Sequence, residues 1–258
     1  MTAGEWFAVT NPDLLLRVVH PLWFAAFESC GLHMRYDVEA RLRLFGCAAA
    51  RMVWELLPTD ARSAVLISER VAKFPAATAD LRAAAVRIED GSISYQRLAV
   101  NAAGWASAGS GVPPRWQLPI NRSVLRFDPA EAGRSAAKAI ATQSVGPSPP
   151  GYIRRNDRWH VAWTEVYNEA RATQSHYVRD IFPPPDYTPQ FNPEWLTSTV
   201  IALAQNIDES GDFSIVPILA DALQDAGCED ETLLQCCRAP GNVHVRGNWV
   251  VDLVLGRG

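Results

Sequence analysis

The chain is 258 residues long, 48% apolar and 20% charged, with a net charge of −4 at pH 7. That length supports one large domain whose core needs no disulfide or metal staple, and the acidic balance argues against a protein that works mainly by gripping phosphates. Nine tryptophans are many, and such large rigid rings either fill cores or mark contact surfaces.

The opening MTAGEWF has no basic n-region and no cleavage signature, so no signal peptide is expected. Asn11 and Pro12 supply a cap and a first-turn proline for a helix through LLLRVV. The apolar stretch from Leu14 to Phe27 is interrupted by Arg17, His20 and Pro21, and is too short and broken to span a bilayer. Pro21 breaks that run and Gly31 closes the next. From Asp37, the spacing of Leu42, Phe45, Ala49, Val53 and Leu56 puts apolar groups on one helical stripe, which Pro58 stops. Thr59 can cap a helix running to about Lys73, and Ala76 to Asp90 reads as another before Gly91.

A helix capped by Ser94 follows, with Leu98, Ala102 and Trp105 in line. Residues 109–127 carry three prolines and no helical period, so an irregular insertion is expected there. Asp128, Pro129 and Glu131 form a strong start signal for a helix ending near Ser144. After the linker VGPSPPG, Trp159, Trp163, Val166, Ala170, Thr173, Tyr177 and Ile181 recur at helical spacing, which predicts a long helix over 157–182. The prolines of PPPDYTPQFNP enforce an extended segment. Three more helices are expected: one capped by Thr197, one closed by Gly227, and a short one through EDETLLQCCR with acids in its first turn. The expected fold is therefore all-α. It is a single domain of about ten helices packed mostly as antiparallel hairpins, with a helical part over 1–108, the irregular insertion at 109–127, and a second helical part over 128–258.

The final stretch, HVRGNWVVDLVLGRG, is the most informative. On a helix over 247–255, Trp249, Val250, Val251, Leu253, Val254 and Leu255 cover almost the whole circumference, leaving Asn248 and Asp252 as a narrow polar stripe. As a strand, Trp249, Val251, Leu253 and Leu255 would share one face. The chain offers no evident strand partner, and Gly256 suits the position just past a helix end, so a buried helix is preferred. Trp249 is then its main packing element, and Arg246 is the expected buried partner of Asp252.

The segments YVRDIFPPP, WLTSTVIALAQ, ILADALQDAGCED and HVRGNWVVDLVLG, with GEWFAVTNPDLLL and RLRLFGCAAARMVWELL near the start, resemble a large paralogous family of planctomycete-type bacterial proteins. The similarity covers residues 176–258 strongly and 1–108 weakly. Residues 109–157 depart from the family, which tends to be alanine-rich and helical there. The resemblance implies a bacterial source and very little about function, since the family supplies no catalytic residues to carry over. The family often has a cysteine where Asn248 stands, and another beside the position of Cys47.

No HExxH, P-loop, GxGxxG, CxxC or GxSxG pattern occurs, and GWASAG at 104–109 misses a nucleophile elbow by one residue. Cys228, Cys236, Cys237 and His244 are the metal candidates. Tetrahedral zinc would draw on Cys228, Cys237 and His244, but the spacing lacks a close Cys pair and Asn248 replaces the family's cysteine, so buried thiols and no metal are expected. Asp221 and Asp225 are four apart on one helix face, and with Asp180 upstream they form the alternative reading, an enzyme with a carboxylate site. Arg154, Arg155 and Arg158 beside Trp159 could meet a nucleic-acid backbone, though a solvated linker fits an acidic protein better. His20, His33, His160 and His176 lack an evident partner and read as surface or packed histidines. Five scattered cysteines fit a reducing compartment. The composite expectation is a cytoplasmic helical module that binds another protein, with no cofactor, no membrane and no nucleic acid; a small-molecule ligand is left open.

Overall fold

The computed structural model describes residues 1–19, 32–73, 129–146, 158–185, 187, 191–238 and 244–257. Every regular element among them is helical. In chain order they are α1 (Ala3–Ala8), α2 (12–19), α3 (Leu32–Arg51), α4 (Thr59–Lys73), α5 (Pro129–Val145), α6 (Arg158–Ile181), α7 (Ser198–Ser210), α8 (Val216–Asp225), α9 (Glu231–Cys237) and α10 (Trp249–Val254). Short 3₁₀ turns at Trp54–Leu56, Pro193–Trp195 and Phe213–Ile215 join some of them. The expected helices over 76–90 and 94–105, the insertion at 109–127, the breaks at Pro21 and Gly31, the Asp128 cap, most of the linker after Val145, and His20, Arg154 and Arg155 lie outside the described residues. So does the side chain of His33.

Several local causes match the predicted signals, although Thr59 is the first residue of α4 and not its cap. Thr197 caps α7 by accepting from the Val200 amide, and Gly211 ends it at φ 70°. Asp230 caps α9 through the Leu233 amide. The predicted 157–182 helix is α6, one residue shorter at each end. Two differences stand out. Helix α3 starts upstream of Asp37, which lies inside it, and it ends at Arg51, so Val53 and Leu56 continue the apolar stripe from a turn. Helix α1 was not expected from periodicity. It is held by a capping box in which Thr2 accepts from the Glu5 amide and the Glu5 carboxylate accepts from the Thr2 amide.

Consecutive helices pack on one another: α3 on α4, α5 on α6, α7 on α8, and α8 on α9, while α3 also meets α5 and α6. The α3–α4–α5 contact is alanine-rich, through Ala49, Ala50, Ala61, Ala132, Ala136 and Ala139. Small side chains bring these helix axes close. Trp6, Leu15, Phe45, Val178 and Ile181 build a second core from α1, α2, α3 and the end of α6. A third, larger core gathers α7, α8, α9 and α10 around Ile207, Leu219, Leu223, Leu233 and Trp249.

A partly buried polar seam ties α2, α5 and α6. Asp13 takes Arg171 and Arg134 on its two oxygens, Arg171 also donates to Gln174, and Gln174 donates to the Gly133 carbonyl at 2.9 Å. No described helix is long and apolar enough to cross a membrane.

Candidate functional site

Helix α6 divides into two halves with different surroundings. From Arg158 to Glu169 no residue is buried; from Ala170 to Ile181 most are. The buried half ends in three consecutive residues that each reach a different segment. Arg179 donates to the carbonyls of Trp6 and Val9, holding α1 and its exit. The Ile181 carbonyl accepts from Arg41 of α3 at 2.7 Å. Asp180 turns toward the segment that begins at His244.

Three donors converge on Asp180, as they would on a carboxylate anion. Its Oδ1 faces His244 Nδ1 at 2.7 Å and Asn248 Nδ2 at 2.5 Å, and its Oδ2 accepts the Val245 amide at 2.7 Å. The other ring nitrogen of His244 faces the Cys237 carbonyl at 3.0 Å. Asn248 then performs a second task. Its Oδ1 accepts the amides of Val250 and Val251, capping α10. The chain reaches this geometry through Gly247, at φ 91°.

A Cβ on Gly247 would lie 2.6 Å from Leu44 Cδ1, in a backbone region that L-residues avoid. Gly247→Ala should therefore cost about 2–3 kcal/mol from backbone strain and overpacking together. A urea-unfolding midpoint lowered at unchanged slope checks this; an unchanged midpoint would mean the turn relaxes freely.

Helix α10 matches the preferred reading of the final stretch. Trp249, Val250, Val251 and Val254 are buried, and Gly256, at φ 69°, closes the helix with Arg257 N–H on the Asp252 carbonyl and Gly256 N–H on that of Leu253. One expectation is corrected. The cations beside Asp252 are Arg41 at 3.9 Å and Arg257 at 3.6 Å, not Arg246. Arg246 instead reaches the Asp208 carbonyl at 3.3 Å, Glu69 at 4.0 Å and the face of Phe213. Asp252 leans toward α3 because the apolar sides of α10 are taken by the third core, leaving its polar stripe against the bundle.

The carboxylate candidates do not face one another. Asp180 is buried in the latch just described. Asp221 is exposed and paired with Arg238, and Asp225 is exposed one turn on. Of the metal candidates, His244 has both ring nitrogens directed at Asp180 and Cys237, and no group of three His, Cys, Asp or Glu fit to hold a metal lies among the described residues. Burial pushes the Cys236 thiol up to about 12, with the Asp180 charge adding to it, and raises Cys237 well above its usual value and Cys228 above it too. Burial likewise takes Cys47 to about 12. Thiols held in this state are packing groups at neutral pH.

Arg158 is exposed at the start of α6, and the neighbouring Trp159 donates its indole N–H to the Gly146 carbonyl at 3.1 Å. His160 and His176 are half-buried; burial, then the charge of Arg179, lowers His176. Sequence reasoning does not single out Arg179, and it places Asn248 on the polar stripe of the final helix without giving it a partner. The signal was present: polar residues on the buried side of a helix need partners. Comparisons with protein-family models, with curated proteins and with solved structures give no match.

Proposed function

We propose that the protein is a helical interaction module that works in the cytoplasm on a protein partner, without a cofactor. The observation that carries this reading is the aromatic ladder on the unburied half of α6. Trp159, Trp163 and Tyr167 stand one turn apart, with ring centroids separated by 6.2 and 5.2 Å, and all three are half-buried. Aromatic rings left partly exposed are the side chains on which binding energy concentrates. The ladder is also anchored. Trp159 donates to the Gly146 carbonyl and Trp163 donates to Thr142 Oγ1 at 3.1 Å, so both rings are positioned before any partner arrives.

The carboxylate alternative has less support, because Asp180 is engaged inside the fold and Asp221 by Arg238. Nucleic-acid binding through Arg154, Arg155 and Arg158 has less as well, given the acidic chain and the internal bond of Trp159. Kinship with the planctomycete-type bacterial family remains a proposal that rests on the C-terminal motif.

The test is purification of the native protein with whatever binds it, beside Tyr167→Ala. Tyr167 is half-buried and stacks on Trp163, so the variant should stay folded and lose about 1–2 kcal/mol, a fall of a few degrees. Its retained partner should fall at least about tenfold, the loss of a moderate contact residue. A parent that purifies alone, or a partner retained equally by the variant, overturns the reading.

A further inference from the structure

We propose that residues 244–257 are fastened to the end of α6 by a doubly protonated His244, so that loss of one ring proton releases the segment and uncovers the seat of α10. The geometry demands the second proton. Nδ1 faces a carboxylate oxygen at 2.7 Å and Nε2 faces a carbonyl oxygen at 3.0 Å, and neither acceptor can donate. A neutral imidazole has one N–H, so either tautomer would set a nitrogen lone pair against an oxygen lone pair. Such a contact inside the protein, where water cannot intervene, is costly.

Among the described residues, few charged groups surround the ring. From α6 come Asp180 and, next to it, Arg179, whose guanidinium is turned away to the carbonyls of Trp6 and Val9. From α9 come the thiols of Cys236 and Cys237, both raised and therefore neutral, with Asp230 and Arg238 flanking that helix. From α3 comes Arg41, occupied by the Ile181 carbonyl and Asp252. Asp180 is thus the anion that balances the ring. Burial alone would lower His244; the hydrogen bond and charge of Asp180 and the Cys237 carbonyl outweigh it, and the net direction is upward.

The direction of the effect follows from linkage. A ring that binds its proton more tightly when latched contributes fully below its free value, about 6.5. That contribution declines as pH rises from there to the raised latched value, and is gone above it. Across that window the ratio of open to latched segment grows about tenfold per pH unit, then levels off. The segment released would expose Trp249, Val250, Val251 and Val254, and with them the sides of α7 and α9 against which α10 packs.

Two measurements on the full chain test this. An NMR titration of the His244 ring should show both ring N–H protons at neutral pH and a midpoint above about 6.5. Hydrogen exchange of amides 249–254, corrected for the intrinsic rate, should lose protection through the same window while the amides of α4 keep theirs. In His244→Gln that pH step should vanish; if this variant does not fold, the parent's two measurements decide. A ring that titrates at or below its ordinary value, or protection at 249–254 that is flat through the His244 midpoint, overturns the proposal.

Discussion

Trp249→Ala should lower the melting temperature on the order of 10 °C. The ring is 3% exposed and stands edge-on to Tyr187 at 5.6 Å between centroids, with the Cys236 thiol against it. It is also the first residue of α10, directly after the Asn248 cap, so its loss opens a cavity where the helix begins. Truncations of this kind cost about 3–5 kcal/mol out of a total near 5–15. At about 2–4 °C per kcal/mol for a chain of this size, the expected fall follows. Leu255→Ala is the internal control. Leu255 is half-buried just past the end of the same helix and should cost much less. Thermal unfolding followed by circular dichroism reads both. If Trp249→Ala melts within about two degrees of the parent, α10 is peripheral and the third core does not depend on it.

What the sequence made legible here was local. Thr197 and Gly256 act through amides and carbonyls a few residues away, so a one-dimensional reading finds them. Thr2 and Glu5 of α1 carry the same kind of local signal, the spacing of a capping box, but the helix is too short to show a period. What stayed illegible was long-range pairing. Cys228, Cys237 and His244 drew notice as neighbours in the chain, and Asp180 as a carboxylate upstream of Asp221. The folded chain pairs Asp180 with His244 instead, across a separation of 64 residues. Spacing along a helix says which side chains share a face. It does not say which distant segment that face will meet, and so the residues were noticed but their chemistry was not. Arg246 illustrates the limit: it stands close to Asp252 in sequence, yet the Gly247 turn directs it to Asp208 and Glu69.

Asp180→Ala should be among the most destabilising single changes in the protein, costing about 3–5 kcal/mol near pH 6, where the ring opposite is charged. Three donors lose their acceptor at once: the His244 ring, the Val245 amide and the Asn248 side chain. The largest share is the imidazolium left inside the protein without its counter-charge. Asp180→Asn should recover part of the loss. Its oxygen can still accept, but its amide group must point a donor at another donor, either the ring or the Val245 N–H. The double change Asp180→Leu with His244→Leu separates charge from packing. Removing both members of a buried pair is often near neutral, whereas removing one is not. The double variant should therefore be more stable than Asp180→Ala alone, and a double-mutant cycle through Asp180→Leu and His244→Leu should return a coupling of about 1–3 kcal/mol. Denaturant unfolding at pH 6 measures each corner. Additive losses, with no coupling, would mean that the two side chains touch without sharing a proton or a charge, and that the C-terminal segment is held by its apolar face alone.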